Sequence, residues 1–120
     1  MRPSLFSVGA ALLAAAGCSQ QQSPVCTALY AYGLSVTALD ASTGDSLPVT
    51  PSGSVRDGSY SDTMTVLGNR LMGAGERAGT YDITVTAPGY APWDTTGIVV
   101  TADECHVHGV HLTAALRPQG

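Results

Sequence analysis

The sequence predicts an all-β sandwich behind a short apolar leader, and three observations predict it. Apolar and polar residues alternate in several short runs. Clusters of Val, Ile, Thr and Tyr are cut by Gly and Pro, and no stretch outside the leader sustains a helical period. A chain of 120 residues has room for one domain.

The leader comes first. Met1-Arg2 supplies a short positive end, and Leu5 to Ala16 forms an apolar stretch without charge. The stretch is shorter than the roughly 20 residues that span a bilayer as a helix. It has the proportions of a signal segment, residues 1–17, and Ala15-Ala16-Gly17 places small residues directly before Cys18. This ending resembles the lipobox of bacterial lipoprotein signal peptides, which closes in small-small-Cys. The resemblance implies cleavage before Cys18 and attachment of a diacylglycerol to its thiol. Ala15 stands where that family more often has leucine. An ordinary secretory signal, cut after Ala-x-Ala and leaving Cys18 unmodified, is the alternative. Ser19 is not the aspartate that holds many such lipoproteins in the inner membrane, so the expected location is the cell envelope, at the outer membrane.

Removing residues 1–17 from 120 leaves 103, enough for a modest core with little stability to spare. Three cysteines in an exported chain leave one over. With Cys18 lipidated, Cys26 and Cys105 remain as one pair, and an oxidising compartment favours their bridge. Residues 18–25, with three glutamines at Gln20 to Gln22, read as the lipidated cysteine and a polar tether.

The domain, residues 26–116, follows, with 117–120 as a tail. Leu34, Val36 and Ala38 fall on one face of a strand over 33–40, and Ser35 and Thr37 on the other. Ala41 to Asp45 is a turn in which Gly44 takes positive φ. A strand over 52–56 leads to the hairpin signal Asp57-Gly58, and Tyr60 to Leu67 returns as its partner. Gly68 to Gly79, with four glycines, is expected as a mobile loop. Tyr81 to Ala87 is the clearest strand, with Tyr81, Ile83, Val85 and Ala87 inward, and Pro88-Gly89 breaks it. Ile98 to Thr101 and His106 to Leu116 complete a set of about seven short strands.

Three pieces of this order carry a family resemblance. They are Val36 to Gly44, the run Gly79-Thr80-Tyr81-Asp82-Ile83-Thr84-Val85-Thr86-Ala87-Pro88-Gly89-Tyr90, and the final Leu112 to Leu116. Together they resemble the carboxypeptidase regulatory-like domain, a seven-stranded Greek-key sandwich of the transthyretin-like (prealbumin-like) group. The resemblance implies that Tyr81, Ile83 and Val85 pack between sheets, that Gly89 turns the chain and that Tyr90 covers the core edge. It also implies a structural or interaction role with no catalytic residues, because the module has none beside its carboxypeptidase neighbour.

Charge narrows the partners. The chain has no lysine; past Arg2, four arginines face nine Asp and Glu, a net charge of −5. Such a domain lacks the cation cluster that phosphate backbones require, so nucleic acid is not expected. The expected partners are a membrane, through the lipid, and a protein or carbohydrate.

Two features bear on chemistry. His106, His108 and His111 are the only histidines, and on a strand His106 and His108 would share a face and offer two imidazoles to one zinc or copper ion. Solvent-facing strand histidines are the simpler expectation, with no cofactor. His106-Val107-His108 is also similar to the iron-ligating His-x-His of intradiol dioxygenases, which need two tyrosine ligands as well and a larger chain; a small iron enzyme is the more distant alternative. Hydroxyisourate hydrolases, also transthyretin-like, end in Tyr-Arg-Gly-Ser, whereas this sequence ends Arg117-Pro118-Gln119-Gly120. Tyr90 and Trp93 are the candidate ligand contacts, because aromatic faces stack on sugars or prolines; the only tryptophan also suits a core seal.

Overall fold

The computed structural model describes residues 25–120, and the expected leader, Cys18 and the residues up to Pro24 lie outside them. The described chain is all-β. In order its strands are β1 (Tyr32–Asp40), β2 (Ser52–Asp57), β3 (Tyr60–Thr63), β4 (Thr65–Leu67), β5 (Arg70–Gly75), β6 (Gly79–Thr86), β7 (Trp93–Val100) and β8 (Val110–Leu116). They form two four-stranded sheets, β4-β5-β1-β8 and β3-β2-β6-β7. β1 pairs antiparallel with β5 and parallel with β8, Leu34 opposite Val110 and Asp40 opposite Leu116.

Alternation decides what fills the space between the sheets. Leu34, Val36 and Ala38 from β1 and Tyr81, Ile83 and Val85 from β6 are all essentially inaccessible, and Val55, Leu71 and Leu116 join them. Each fully buried aliphatic side chain contributes roughly 1.5–3 kcal/mol. The one buried phenol keeps its polar end satisfied: Tyr81 donates its hydroxyl to the Arg77 carbonyl at 2.7 Å and accepts from Arg77 Nη1 at 3.0 Å. The same guanidinium bonds Asp57 at 3.0 Å and lies 3.8 Å above the Tyr60 ring.

Four expectations need correction. Residues 68–79 are not one mobile loop. Gly68, at φ 66°, turns a tight hairpin, and Arg70 to Gly75 is an inner strand of its sheet between β4 and β1. Glycine is accepted there because space is short: a Cβ on Gly73 would meet Met64 and Val55 at 3.4 Å. Secondly, Tyr60 to Leu67 is split at Met64, which is buried, so β3 pairs with β2 while β4 crosses to the other sheet. With that split and β5 included, the described residues form eight strands. Thirdly, β7 begins at Trp93 and ends at Val100, tolerating Gly97 at φ 72° near a register shift against β6. Lastly, the final strand starts at Val110, not at His106.

The physical cause of the last difference is Asp103. Its Oδ1 accepts the backbone N–H of Cys105 at 2.8 Å and of His106 at 3.0 Å, while its own N–H donates to the His106 carbonyl. Thr101 O accepts from His108 N, and Ala102 bridges Val107. An aspartate-capped turn therefore replaces the first part of the expected strand.

Candidate functional site

The parallel pairing of β1 and β8 gives the sandwich two distinct ends, and the sequence-predicted residues divide between them. At the end where β1 and β8 begin, Cys26 and Cys105 are joined by a disulfide, with Cα atoms 5.2 Å apart. The bridge holds the segment before β1 against the β7–β8 connection. Hydrogen bonds reinforce it. Glu76 Oε2 accepts the Ala31 N–H at 2.8 Å and lies 2.7 Å from His106 Nδ1. His106 Nε2 is 3.0 Å from the Thr27 hydroxyl, so both nitrogens of the ring have a polar partner. The Ala31 N–H, helped by His106, holds the Glu76 carboxyl below its usual range.

His108 takes other partners. Its Nε2 is 3.1 Å from Asp103 Oδ2 and its Nδ1 is 3.0 Å from the Thr101 hydroxyl. Asp103 is held down to about 2 by the backbone N–H groups of His106 and Cys105, with a further contribution from His108. His111, on β8, sits beside Ser35 at 2.8 Å and Thr37 at 3.3 Å. The shared strand face expected for His106 and His108 does not form, because both lie in the capped turn, ahead of β8. Each ring nitrogen of the two residues already has a hydrogen-bond partner. Among the described residues no three His, Cys, Asp or Glu side chains gather as a metal-binding set.

The opposite end holds the aromatic candidates. Gly89, at φ 83°, turns the chain after β6. Tyr90 then donates its hydroxyl to Asp40 Oδ2 at 2.6 Å, and both Tyr90 and Trp93 pack against the core while remaining partly exposed. Asp40 also accepts the Ser42 hydroxyl and the backbone N–H groups of Ser42 and Thr43. These bonds, Ser42 foremost and Tyr90 next, bring its carboxyl down to about 2.

Trp93 lines an open groove of about 380 Å³, with residues 91–94 on one wall and 115–117 on the other. Tyr90 does not line it. The groove lies where the edge strand β7 of one sheet meets the edge strand β8 of the other. Its walls are tied together, since Ala91 N donates to the Arg117 carbonyl at 2.9 Å, Gln119 N to the Gly89 carbonyl at 2.8 Å, and Tyr90 bridges Pro118. Asp94 and Arg117 also border it, with the Asp94 carboxylate turned to Thr84 on the face of the sheet opposite the one that carries Trp93.

Sequence reasoning pointed to Trp93 but passed over Asp94 and Arg117. Only the register shows them: Asp94 stands opposite Thr84, whose hydroxyl it accepts at 2.7 Å, and Arg117 follows the last residue of β8. No family model matches the chain, and no curated protein matches it by sequence.

Proposed function

We propose that this chain is an envelope-anchored lipoprotein whose β-sandwich serves as a structural or interaction module and performs no catalysis of its own. Residues 1–17 are a cleaved signal peptide, Cys18 carries the lipid, the residues up to 25 are a tether, and 26–116 are the working domain at the outer membrane. The observation that carries this reading is the use made of the cysteines. The bridge takes Cys26 and Cys105, so the third cysteine of the chain is Cys18, immediately after Ala15-Ala16-Gly17. Parity and lipobox converge on one residue. Two or more acyl chains there make a stable anchor, whereas one would bind only reversibly.

For the domain we favour the carboxypeptidase regulatory-like, transthyretin-like group with its seven-stranded Greek key. Three points support it. The motif pieces fall on β1 and its turn, on β6 and its turn, and on β8. Tyr81, Ile83 and Val85 face inward between two sheets. Counting Tyr60 to Leu67 as one strand that changes sheet at Met64 also brings the number to seven.

The deciding experiment is fractionation of cells expressing the Cys18→Ser variant. Release from the membrane fraction and loss of fatty-acid labelling are expected. Membrane retention with undiminished labelling would remove the anchor, and with it this reading.

A further inference from the structure

We infer that β8 is a docking edge for a second copy of this chain, the two β8 strands pairing antiparallel about Thr113 so that their sheets become one. This goes beyond the anchoring proposed above and does not depend on it.

Four strands stand at sheet edges, β4 and β8 in one sheet and β3 and β7 in the other. An edge strand offers its unpaired N–H and C=O groups to any other strand, and proteins blunt such edges with shortness, charge, proline or a bulge. Three of the four are blunted here. β4 has three residues, and β3 has four with Asp62 among them. β7 carries Asp94 and is interrupted by a register shift, with Gly97 at φ 72°. β8 is the exception. Val110-His111-Leu112-Thr113-Ala114-Ala115-Leu116 runs seven residues in unbroken register with β1 and contains no Pro, Gly, Asp, Glu, Lys or Arg.

The register also shows which backbone groups are free. The Leu116 carbonyl accepts from Ala41 N, on the β1 side. Backbone groups of successive strand residues point to alternate sides, so His111, Thr113 and Ala115 turn their N–H and C=O away from β1. Among the described residues no backbone hydrogen bond from outside the sheet reaches these three. The His111 ring is turned back to Ser35 and Thr37 of β1, which leaves the edge clear.

The pattern on β8 fits its own reversed copy. Thr113 is the midpoint of the strand. With Thr113 opposite Thr113 of the second copy, His111 meets Ala115 and Ala115 meets His111, so each outward N–H finds a C=O across the seam. The same register sets Leu112 opposite Ala114 and Val110 opposite Leu116, all on the face that packs on the core. Val110 and Leu112 are only partly buried in the single chain and gain cover from the pairing. The chain is acidic overall, yet β8 brings no acid against its copy. A seam one strand wide is a small contact, below the ~1,200 Å² of stable complexes, so the dimer is reversible.

The full-length protein, in a density-matched detergent, is followed by sedimentation equilibrium from about 1 to about 300 µM, the affinity range of such transient pairs. A reversible monomer–dimer equilibrium is expected. Thr113→Pro removes an N–H that β1 does not use, and with it one seam bond from each copy, so it should weaken the dimer about tenfold or more. Thr113 is exposed, so Thr113→Lys should keep the melting temperature of the monomer while setting like charges opposite each other and weakening the dimer too. Mild oxidation of Thr113→Cys should trap the dimer, because the paired Cα atoms would be about 5.5 Å apart, within disulfide range. Ala115→Cys should not be trapped, since its two copies would be ~14 Å apart along the strands. Wild-type protein under the same oxidant reports any contribution from Cys18. A monomer at every concentration overturns the inference, and that measurement needs no variant. So does a dimer that Thr113→Pro and Thr113→Lys both leave unchanged, or one trapped through Ala115→Cys and not through Thr113→Cys. None of these results bears on the Cys18→Ser fractionation, so the two readings fail separately.

Discussion

Tyr90 and Asp40 are joined across fifty residues of sequence by a hydroxyl-to-carboxylate hydrogen bond of 2.6 Å. The bond connects the turn after β6, in one sheet, to the last residue of β1, in the other. It also takes Tyr90 out of the groove and leaves Trp93 there alone. Replacing Tyr90 with Phe should lower the melting temperature and raise the Asp40 pKa toward the ordinary carboxylate range. NMR titration of the Asp40 side chain checks the second effect, and an unmoved value would show that the Ser42 and Thr43 bonds suffice to depress it.

Acid should loosen the fold over a defined range. Asp40 and Asp103 are held at about 2, and Glu76 is lowered as well. An unfolded aspartate titrates near 3.9. A depressed folded pKa contributes stability above the unfolded value, and that contribution is lost as pH falls through the folded one. Melting temperature should therefore be flat near neutrality and decline from about pH 4 to pH 2. In the Asp103→Asn variant, calorimetry should record a shallower decline over the same range.

Reducing the Cys26–Cys105 bridge should cost roughly 4–5 kcal/mol on the chain-entropy model, for a loop with 79 residues of separation. Denaturant melts with and without reductant measure it. Intact mass should rise by two hydrogens on reduction. A midpoint that reductant does not move would mean that the bridge is not formed in the protein tested.

Zinc, copper and iron should show no stoichiometric uptake. A metal at His106 would displace Glu76 or Thr27, and one at His108 would displace Asp103 or Thr101. Calorimetric titration of the purified protein should match that of the His106→Ala/His108→Ala double variant. Tight one-to-one binding lost in the variant would reverse this.

The inward faces of β1 and β6 were legible because alternation is a local signal with a period of two, and both strands have one face in the core. Gly44, Gly58 and Gly89 were legible for the same reason: a turn needs its positive φ where the chain reverses. β5 was not, because Gly73 and Gly75 mark a loop by composition, whereas the strand is set by the close approach of β1, β4 and Met64 around it. That approach is tertiary. The same holds at His106 to His108, where one capping carboxylate outweighs strand propensity. The groove escaped because its two walls, residues 91–94 and 115–117, come together only where the edge of one sheet packs against the edge of the other.

The bridge between Cys26 and Cys105 also sets how a mechanical load travels through the molecule. Tension applied between the N-terminal side of Cys26 and the C-terminal residues passes through the sulfurs to Cys105 and on into β8, and residues 27–104 stay slack inside a covalent ring. With the sulfurs parted, that ring would add roughly 270 Å of extensible contour, at about 3.4 Å per residue. With them joined it adds none. Seven of the eight strands are inside the ring, and a tug on the molecule can draw taut only β8.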